Sequence, residues 1–503
     1  MKKKILLGLL LCACCLLTAC GQFEKLGNET DVKIKWLLPA REDHILESEE
    51  TLVEQELRKA FADQNIEVDL CFVNEEEYTS QVMKMLQTDE NWDVMFLNLE
   101  LNQVMRSETK KYFAPLTKLL AGEYSNFYAA MPEYVWDIMK VNKEIYAIPN
   151  KHCWAGQEGY YIRADYLNSY GKMFRDGKEA SFADVESFLN KVTNAKNCVG
   201  TYIPDDQWAK ELLSNNFYFT GDLETLGVVK RTRNGYVVEN MFETEEFEAY
   251  CYRMRRWFLD GYIRRDSAVR DSNEAMIAQE REKGLFALEP ADYLMPGVEK
   301  SVEVSYGNVY SFDPIPTSKT VIMPNKVAEY ATAFNVDSEH LEEALTVAER
   351  IYEDQDLYNT ILYGIENVHY EKINDRQIKK LPDSGYGSDY AGAIDSYVLG
   401  NQYLSYVLEE DSYDKWERME TWEAQAEVSG TMGFFFRTTL VSDEIRNVSA
   451  IIDSDLRLLE TGSVDVDSFL PEFQEKLREA GADRIIDEYQ KQLTRWLDNK
   501  NEK

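Results

Sequence analysis

The chain carries only four histidines, His44, His152, His340 and His369, and none stands in a spacing that makes a catalyst or a metal centre. There is no HExxH, no Asp-rich calcium loop, no GxSxG, no Walker A loop and no GxGxxG after a strand. His44 lies with Glu42, Asp43 and Glu47, which reads as a solvated acidic loop rather than a metal cluster. His369-Tyr370-Glu371 has no second ligand nearby and reads as structural. No cofactor is expected. Glycoside hydrolysis needs two carboxyl groups about 5–9.5 Å apart, but 90 acidic residues offer so many pairs that they single out none. The aromatic residues are more telling: 9 Trp, 31 Tyr and 22 Phe. Many must be core. Some fall in polar or Gly-containing loops where packing does not demand them: Trp154 within 151–157, Tyr363 beside Gly364, and Phe434-Phe435-Phe436 after Gly433. Flat rings cover the apolar faces of sugars, and a few placed polar groups fix orientation.

A second kind of chemistry is written at the N-terminus. Lys2, Lys3 and Lys4 precede an apolar run from Ile5 to Leu17, and Leu17-Thr18-Ala19-Cys20 follows. Charge, a short apolar core and small residues before a cut make a secretory signal. The run is shorter than the ~20 residues of a spanning helix. Leu-Thr-Ala-Cys resembles a bacterial lipobox, so Cys20 is expected to be lipidated and to tether the chain to a membrane. An ordinary signal peptide that happens to contain cysteines is the alternative, since Cys12, Cys14 and Cys15 also lie there. The polar residues after Cys20, up to residue 31, read as the tether.

Loss of residues 1–19 would move the net charge from −35 to −38, with 90 acids against 52 bases. Such a surface repels nucleic acid and favours solubility. Cys71, Cys153, Cys198 and Cys251 show no CxxC pair, and both disulfides and free buried thiols fit them.

The elements that must position these residues alternate. Val32–Leu38 reads as a strand, Thr51–Asn65 as an amphipathic helix, Ile66–Val73 as a strand, Tyr78–Thr88 as a helix, and Asp93–Asn98 as a fully buried strand. This order argues for an α/β sheet with right-handed crossovers. Ligands then bind beyond the carboxyl ends of the strands, here Pro39-Ala40-Arg41 and Asn98-Leu99-Glu100. A second α/β unit is expected from Tyr160–Ile162, a helix capped by Ser181, a helix over Phe247–Asp260 stopped by Gly261, and a strand over Gly284–Leu288. The end is helical: Asp443–Leu459, Asp465–Ala480 and Ala482–Leu497.

These residues together resemble the extracellular solute-binding lipoproteins of bacterial ABC importers, in the family-1 sugar-binding class and its larger Gram-positive, LipO-like members. The resemblance runs over nearly the whole chain. It is carried by the lipobox at Cys20, Trp92–Phe96, Val141–Pro149, Trp257–Ile263, Tyr363–Tyr370 and Ala482–Trp496. It implies a two-lobed, periplasmic-binding-protein-like (type II) α/β fold with a hinge, a ligand cleft and a helical C-terminal region. Lobe 1 would take 32–149 and 320–380, and lobe 2 would take 150–319 and 381–503. The chain would cross near Ile148-Pro149-Asn150 and again within Asp313–Thr320, with the last helices packed onto the lobes. Implied partners are a sugar or oligosaccharide solute and the permease subunits of an importer, for a monomer on the extracellular face of the cell membrane. The expected solute contacts are Arg41, Asn98, Trp154, Gln157, Glu289, Tyr363 and Phe436, each on a loop expected to face the cleft. Two departures stand out. Asn142-Lys143-Glu144 replaces a turn in which relatives often have Gly, and Leu288-Glu289-Pro290 brings a carboxylate where small residues are usual. A surface glycan-acting enzyme and a non-transporting sensor or scaffold are the competing readings.

Overall fold

The computed structural model describes residues 32–41, 45–88, 90–107, 109–174, 178–196, 199–201, 211–212, 217–220, 225–268, 279–291, 294–388 and 391–501. Cys20, His44 and Cys198 lie outside them.

Two large hydrophobic cores, with a smaller cluster around Tyr306 and Phe312, divide the described residues into two lobes. The first is built on a five-stranded sheet in the order Ile66–Asn74, Val32–Ala40, Val94–Leu97, Ala331–Phe334, Ala147–Pro149. The first three strands are parallel, as the alternating pattern predicts. Helix Glu47–Ala60 buries Val53 and Leu57, and helix Tyr78–Thr88 buries Tyr78, Val82 and Leu86. Val94–Leu97 is buried at every position, so its polar backbone must be satisfied by neighbours on both sides. The strand Ala331–Phe334, which has no clear signal in the sequence, supplies one of those neighbours and runs antiparallel to both of its partners.

The second lobe holds a four-stranded sheet in the order Phe312–Pro316, Gly159–Arg163, Phe286–Ala291, Val199–Thr201. It is mostly antiparallel rather than a repeat of the first sheet. An antiparallel hairpin, Gly227–Thr232 with Gly235–Asn240, adds a further layer. Ser181 caps helix Phe182–Lys196 as expected: its hydroxyl accepts from the Asp184 N–H at 3.2 Å, and the Asp184 carboxylate accepts from the Ser181 N–H at 3.2 Å. The three final helices, Ser442–Glu460, Val466–Glu479 and Ala482–Asn501, bury Val448, Ile452, Leu470, Phe473, Ile485, Tyr489 and Leu493 in this second core.

The chain passes between the cores three times, and the crossings pair with one another. Ala155–Gly156, Val321–Ile322 and Glu427–Val428 form a small sheet, with Val321–Ile322 in the middle. Two of these crossings lie next to the expected positions, and the third was not anticipated. It also moves a boundary. Tyr386, Ile394, Leu399, Tyr406, Met419 and Met432 belong to the first core, so the described residues of 381–432 are part of lobe 1 rather than of lobe 2. The Phe triplet marks the last crossing: Phe435 enters the first core, while Phe434 and Phe436 enter the second. Phe435 lies under the Arg106 guanidinium, 4.0 Å from its ring centroid, which pins the crossing to the first lobe.

The turn at Asn142-Lys143 joins two short strands with φ of 53° and 71°. Two left-handed residues in succession are what a tight hairpin of this hand needs, and Gly would adopt the second without strain.

Candidate functional site: a tyrosine stack at the edge of the first lobe

The topology brings one set of residues to a single edge. Val32–Ala40 and Val94–Leu97 run in parallel and end at Arg41 and Asn98. Ala331–Phe334 runs the other way, so the residues before it, Glu329 and Tyr330, arrive at the same edge. Ala147–Pro149 ends there too and leads through Asn150 into the first crossing. A cavity of about 350 Å³ lies at this edge, lined by residues that include Glu75, Phe96, Asn98, Glu100, Glu329, Tyr330, Asp395 and Tyr397.

Its wall is aromatic. Tyr397 stacks on Tyr330 with ring centroids 4.3 Å apart and planes 17° apart, and Tyr330 in turn stacks on Phe96 at 5.8 Å and 26°. Every ring is held. The fully buried Asn150 donates to the carbonyls of Tyr397 and Val398 at 2.9 and 2.8 Å and accepts from the Thr332 hydroxyl at 2.8 Å, which ties the 395–398 loop to the sheet. The Asp395 carboxylate accepts from the Tyr397 hydroxyl at 2.7 Å and from Arg41 at 2.6 Å. The Tyr330 hydroxyl donates to Glu329 at 2.9 Å, and Lys326 donates to the other oxygen of Glu329 at 2.8 Å. Burial pushes both tyrosine hydroxyls well above their usual range, and the neighbouring carboxylates push the same way, so both rings stay neutral donors. His152 packs behind Tyr330 at 5.0 Å, and burial lowers its pKa to about 4, which keeps it neutral. The arrangement is a rigid apolar face rimmed by acceptors. Nothing in it builds a nucleophile, and among the described residues no group of three metal-ligating side chains converges anywhere.

The expected contacts divide. Asn98 lines the cavity; its side chain caps helix Leu99–Ser107 through the Leu101 N–H at 2.9 Å and donates to the Thr79 hydroxyl at 2.7 Å. Arg41 stands behind Asp395 and holds it. Tyr363 ends helix Gln355–Tyr363 and lines a second cavity of about 190 Å³, where Met295 and Val298 of lobe 2 meet Tyr406, Trp416 and Met419 of lobe 1. Gln157 sits between two crossings and donates to the Ser318 carbonyl at 3.0 Å.

Three expectations are corrected. Trp154 is only 1% exposed and packs in the first core, so its ring offers no face to a solute. Glu289 is 4% exposed and fully engaged: Arg281 bonds both of its oxygens, at 3.1 and 3.0 Å, and the Tyr306 hydroxyl donates to it as well. Phe436 is wholly buried, stacked on Tyr489 at 4.1 Å and 1°. Polar surroundings suggest open loops for Trp154 and Phe436, and the resemblance puts Glu289 at the cleft; the first two are buried by elements distant in the chain, whereas Glu289 is engaged by Arg281 and Tyr306, close to it in sequence. His369 is structural as expected: it is buried, accepts from the Ile365 N–H at 2.7 Å and bonds Glu49 at 3.2 Å. Cys71, Cys153 and Cys251 are free thiols, and burial pushes the Cys71 thiol up to about 12.

The stack itself was not anticipated from the sequence. Phe96, Tyr330 and Tyr397 are far apart in sequence, and the only local signal is the Asp395-Ser396-Tyr397 spacing that lets the carboxylate meet its own neighbour's hydroxyl.

Residues 430–498, from just after the third crossing strand through most of the final helices, match a family described as "Domain of unknown function (DUF3502)". The chain is 24% identical over 482 residues to a carbohydrate ABC transporter substrate-binding protein of Streptococcus pneumoniae serotype 4, covering 92% of this chain and 89% of that protein. Among solved structures, it is similar to the N-glycan transport solute-binding protein NgtS of Streptococcus pneumoniae (TM-score 0.75, 20% identity, 94% of this chain and 100% of that one). It is also similar to an HMO-binding, ABC-transporter-associated solute-binding protein of Bifidobacterium longum infantis (TM-score 0.66, 13% identity, 92% and 99%). The resemblance read from the sequence is borne out: the chain has the two-lobed fold of the extracellular solute-binding proteins of ABC importers.

Proposed function

We propose that this chain is a cell-surface receptor that binds an oligosaccharide at the edge of its first lobe and delivers it to an ABC-importer permease. The observation that carries the reading is the Tyr397–Tyr330–Phe96 stack at the mouth of a cavity rimmed by Asn98 and carboxylates. Such a surface covers the apolar face of a sugar while its acceptors take the hydroxyls. The three paired crossings form a hinge about which lobe 2 closes over the solute. Arg41, Asn98, Gln157 and Tyr363 act as contacts or as supports of contacts. The chain binds and releases its solute unchanged, without catalysis, and works as a monomer. Cys20 carries lipid and holds the receptor on the extracellular face of the membrane; labelling with a palmitate analogue, lost in Cys20→Ser, tests that. The described residues contain no helix long and apolar enough to span a bilayer.

A thermal-shift screen against mono- and oligosaccharides, amino acids and short peptides tests the binding reading, because a ligand of the folded state raises the midpoint by mass action. The expected result is a shift with one glycan class, with the glycan recovered intact. Tyr397→Ala should then weaken that glycan by about tenfold or more, from the lost ring face. Recovery of a cleaved glycan would make the chain an enzyme, and unchanged affinity in Tyr397→Ala would move the site elsewhere.

A further inference from the structure

The rim of the cavity is charged on one side only. Glu75, Glu100, Glu329 and Asp395 line it, and no Lys, Arg or His does so among the described residues. Two of the four are neutralised from behind. Arg41 bonds Asp395 and Lys326 bonds Glu329. Glu75 and Glu100 are different: both are exposed at the cavity, and among the described residues neither side chain has a bonded cation. Glu75 follows directly on strand Ile66–Asn74, its N–H bonded to the Ala40 carbonyl at 3.1 Å, which fixes it beside the end of the neighbouring strand. Glu100 sits in the first turn of helix Leu99–Ser107. Arg41 feels Glu75 electrostatically, but its hydrogen bond is to Asp395.

Building on the glycan-receptor reading, we propose that Glu75 and Glu100 make this subsite a charge filter. It admits neutral sugar units and units with a protonated amine, and it rejects units that carry a carboxylate or a sulfate. The physical basis is short-range and local. An anionic group set against the tyrosine stack meets two carboxylates, and no Lys, Arg or His lines the cavity to receive it among the described residues; like charges brought together at a binding surface are a device of specificity. A protonated amine finds the same carboxylates as acceptors and strengthens their hydrogen bonds. The aromatic stack is indifferent to charge of this kind and supplies affinity for any sugar face, so discrimination falls to the rim.

The test uses the full-length protein extracted in mild detergent and a glycan array whose members share backbones but differ in charge: neutral, amine-bearing, and uronate or sulfated. For any backbone retained, the wild type should bind the neutral or amine-bearing member about tenfold or more tighter than the acidic one, a ratio worth about 1.4 kcal/mol. The ratio should shrink with added salt, because exposed charges are screened. In the Glu75→Gln/Glu100→Gln variant it should fall to within about threefold. Both positions are exposed and unpaired, so the variant should fold, which circular dichroism verifies. A wild type that retains acidic members as well as neutral ones overturns the filter, as does a double variant that keeps the full ratio. An array that retains nothing overturns the glycan-receptor reading itself.

Discussion

Glu423 is the residue at which the hinge can be probed most directly. It ends helix Lys415–Glu423, four residues before the crossing strand Glu427–Val428. Its Oε2 accepts the N–H of Trp154 and, at 3.1 Å, the N–H of Ala155, where the first crossing strand begins. One carboxylate oxygen therefore ties the first crossing to the third. Burial raises the pKa of this carboxyl, and the two N–H donors pull it back down. Replacing Glu423 by Ala leaves two largely buried N–H groups without an acceptor. Each such loss costs about 1–3 kcal/mol, so local opening of residues 153–156 should become easier by about 2–6 kcal/mol. Hydrogen exchange reads this quantity as local opening. Amides of the peptide spanning 152–157 should exchange at least about 30-fold faster in Glu423→Ala. Glu423→Gln keeps an oxygen in the same place and loses only the ionic part of the bonds, so the change should be about tenfold or less. Exchange in the Ala variant within about threefold of wild type would refute the clamp, and so would equal effects of Ala and Gln.

Other consequences can be measured alongside it. Phe436→Ala removes a fully buried ring stacked on Tyr489 and should destabilise the second lobe by about 3–5 kcal/mol in urea unfolding, with the first lobe's transition unmoved. Trp154→Ala should likewise show itself as lost stability in the first lobe, again about 3–5 kcal/mol, rather than as a clean loss of binding. Lys143→Gly relieves a non-glycine residue at φ 71° and should stabilise the first lobe by about 1 kcal/mol, whereas a neutral or destabilising result would show that the turn carries no strain. Glu54 accepts the Leu70 N–H at 3.0 Å, and burial, reinforced by Asp69 and Glu50, raises its pKa to about 7. The folded state thus holds this proton more tightly than the unfolded chain does. The stabilisation it brings is complete below about pH 4.5 and is lost as pH rises through about 7. Between pH 5 and 8 the first lobe should lose on the order of 1–2 kcal/mol from this group, after allowance for solvent screening, and Glu54→Gln should flatten that part of the profile.

Much of the architecture was legible in the sequence because its signals are local. The buried run Val94–Leu97, the amphipathic helices Glu47–Ala60 and Tyr78–Thr88, the capping pair Ser181 and Asp184, and the three final helices each follow from a period or a cap contained in a few residues. The parallel start of the first sheet follows from their alternation. The resemblance of Leu17-Thr18-Ala19-Cys20 to a lipobox is an expectation from the sequence alone.

What the tertiary structure decided is which aromatic residues stand at a cavity and which are buried. Polarity of neighbours placed Trp154 and Phe436 on open loops, but burial is a sum over contacts from the whole chain. Glu423, 269 residues on, covers the backbone of Trp154, and Tyr489 covers Phe436. The rings that do stand at the cavity, Tyr330 and Tyr397, are ordinary in sequence. They become a platform because an antiparallel strand delivers Tyr330 to the carboxyl edge of parallel neighbours, and because Asn150, 247 residues away, fastens the Tyr397 loop beside it. A local pattern determines an element, since its period depends only on backbone geometry. A binding surface depends on the packing of elements against one another, and that is decided when the lobes form.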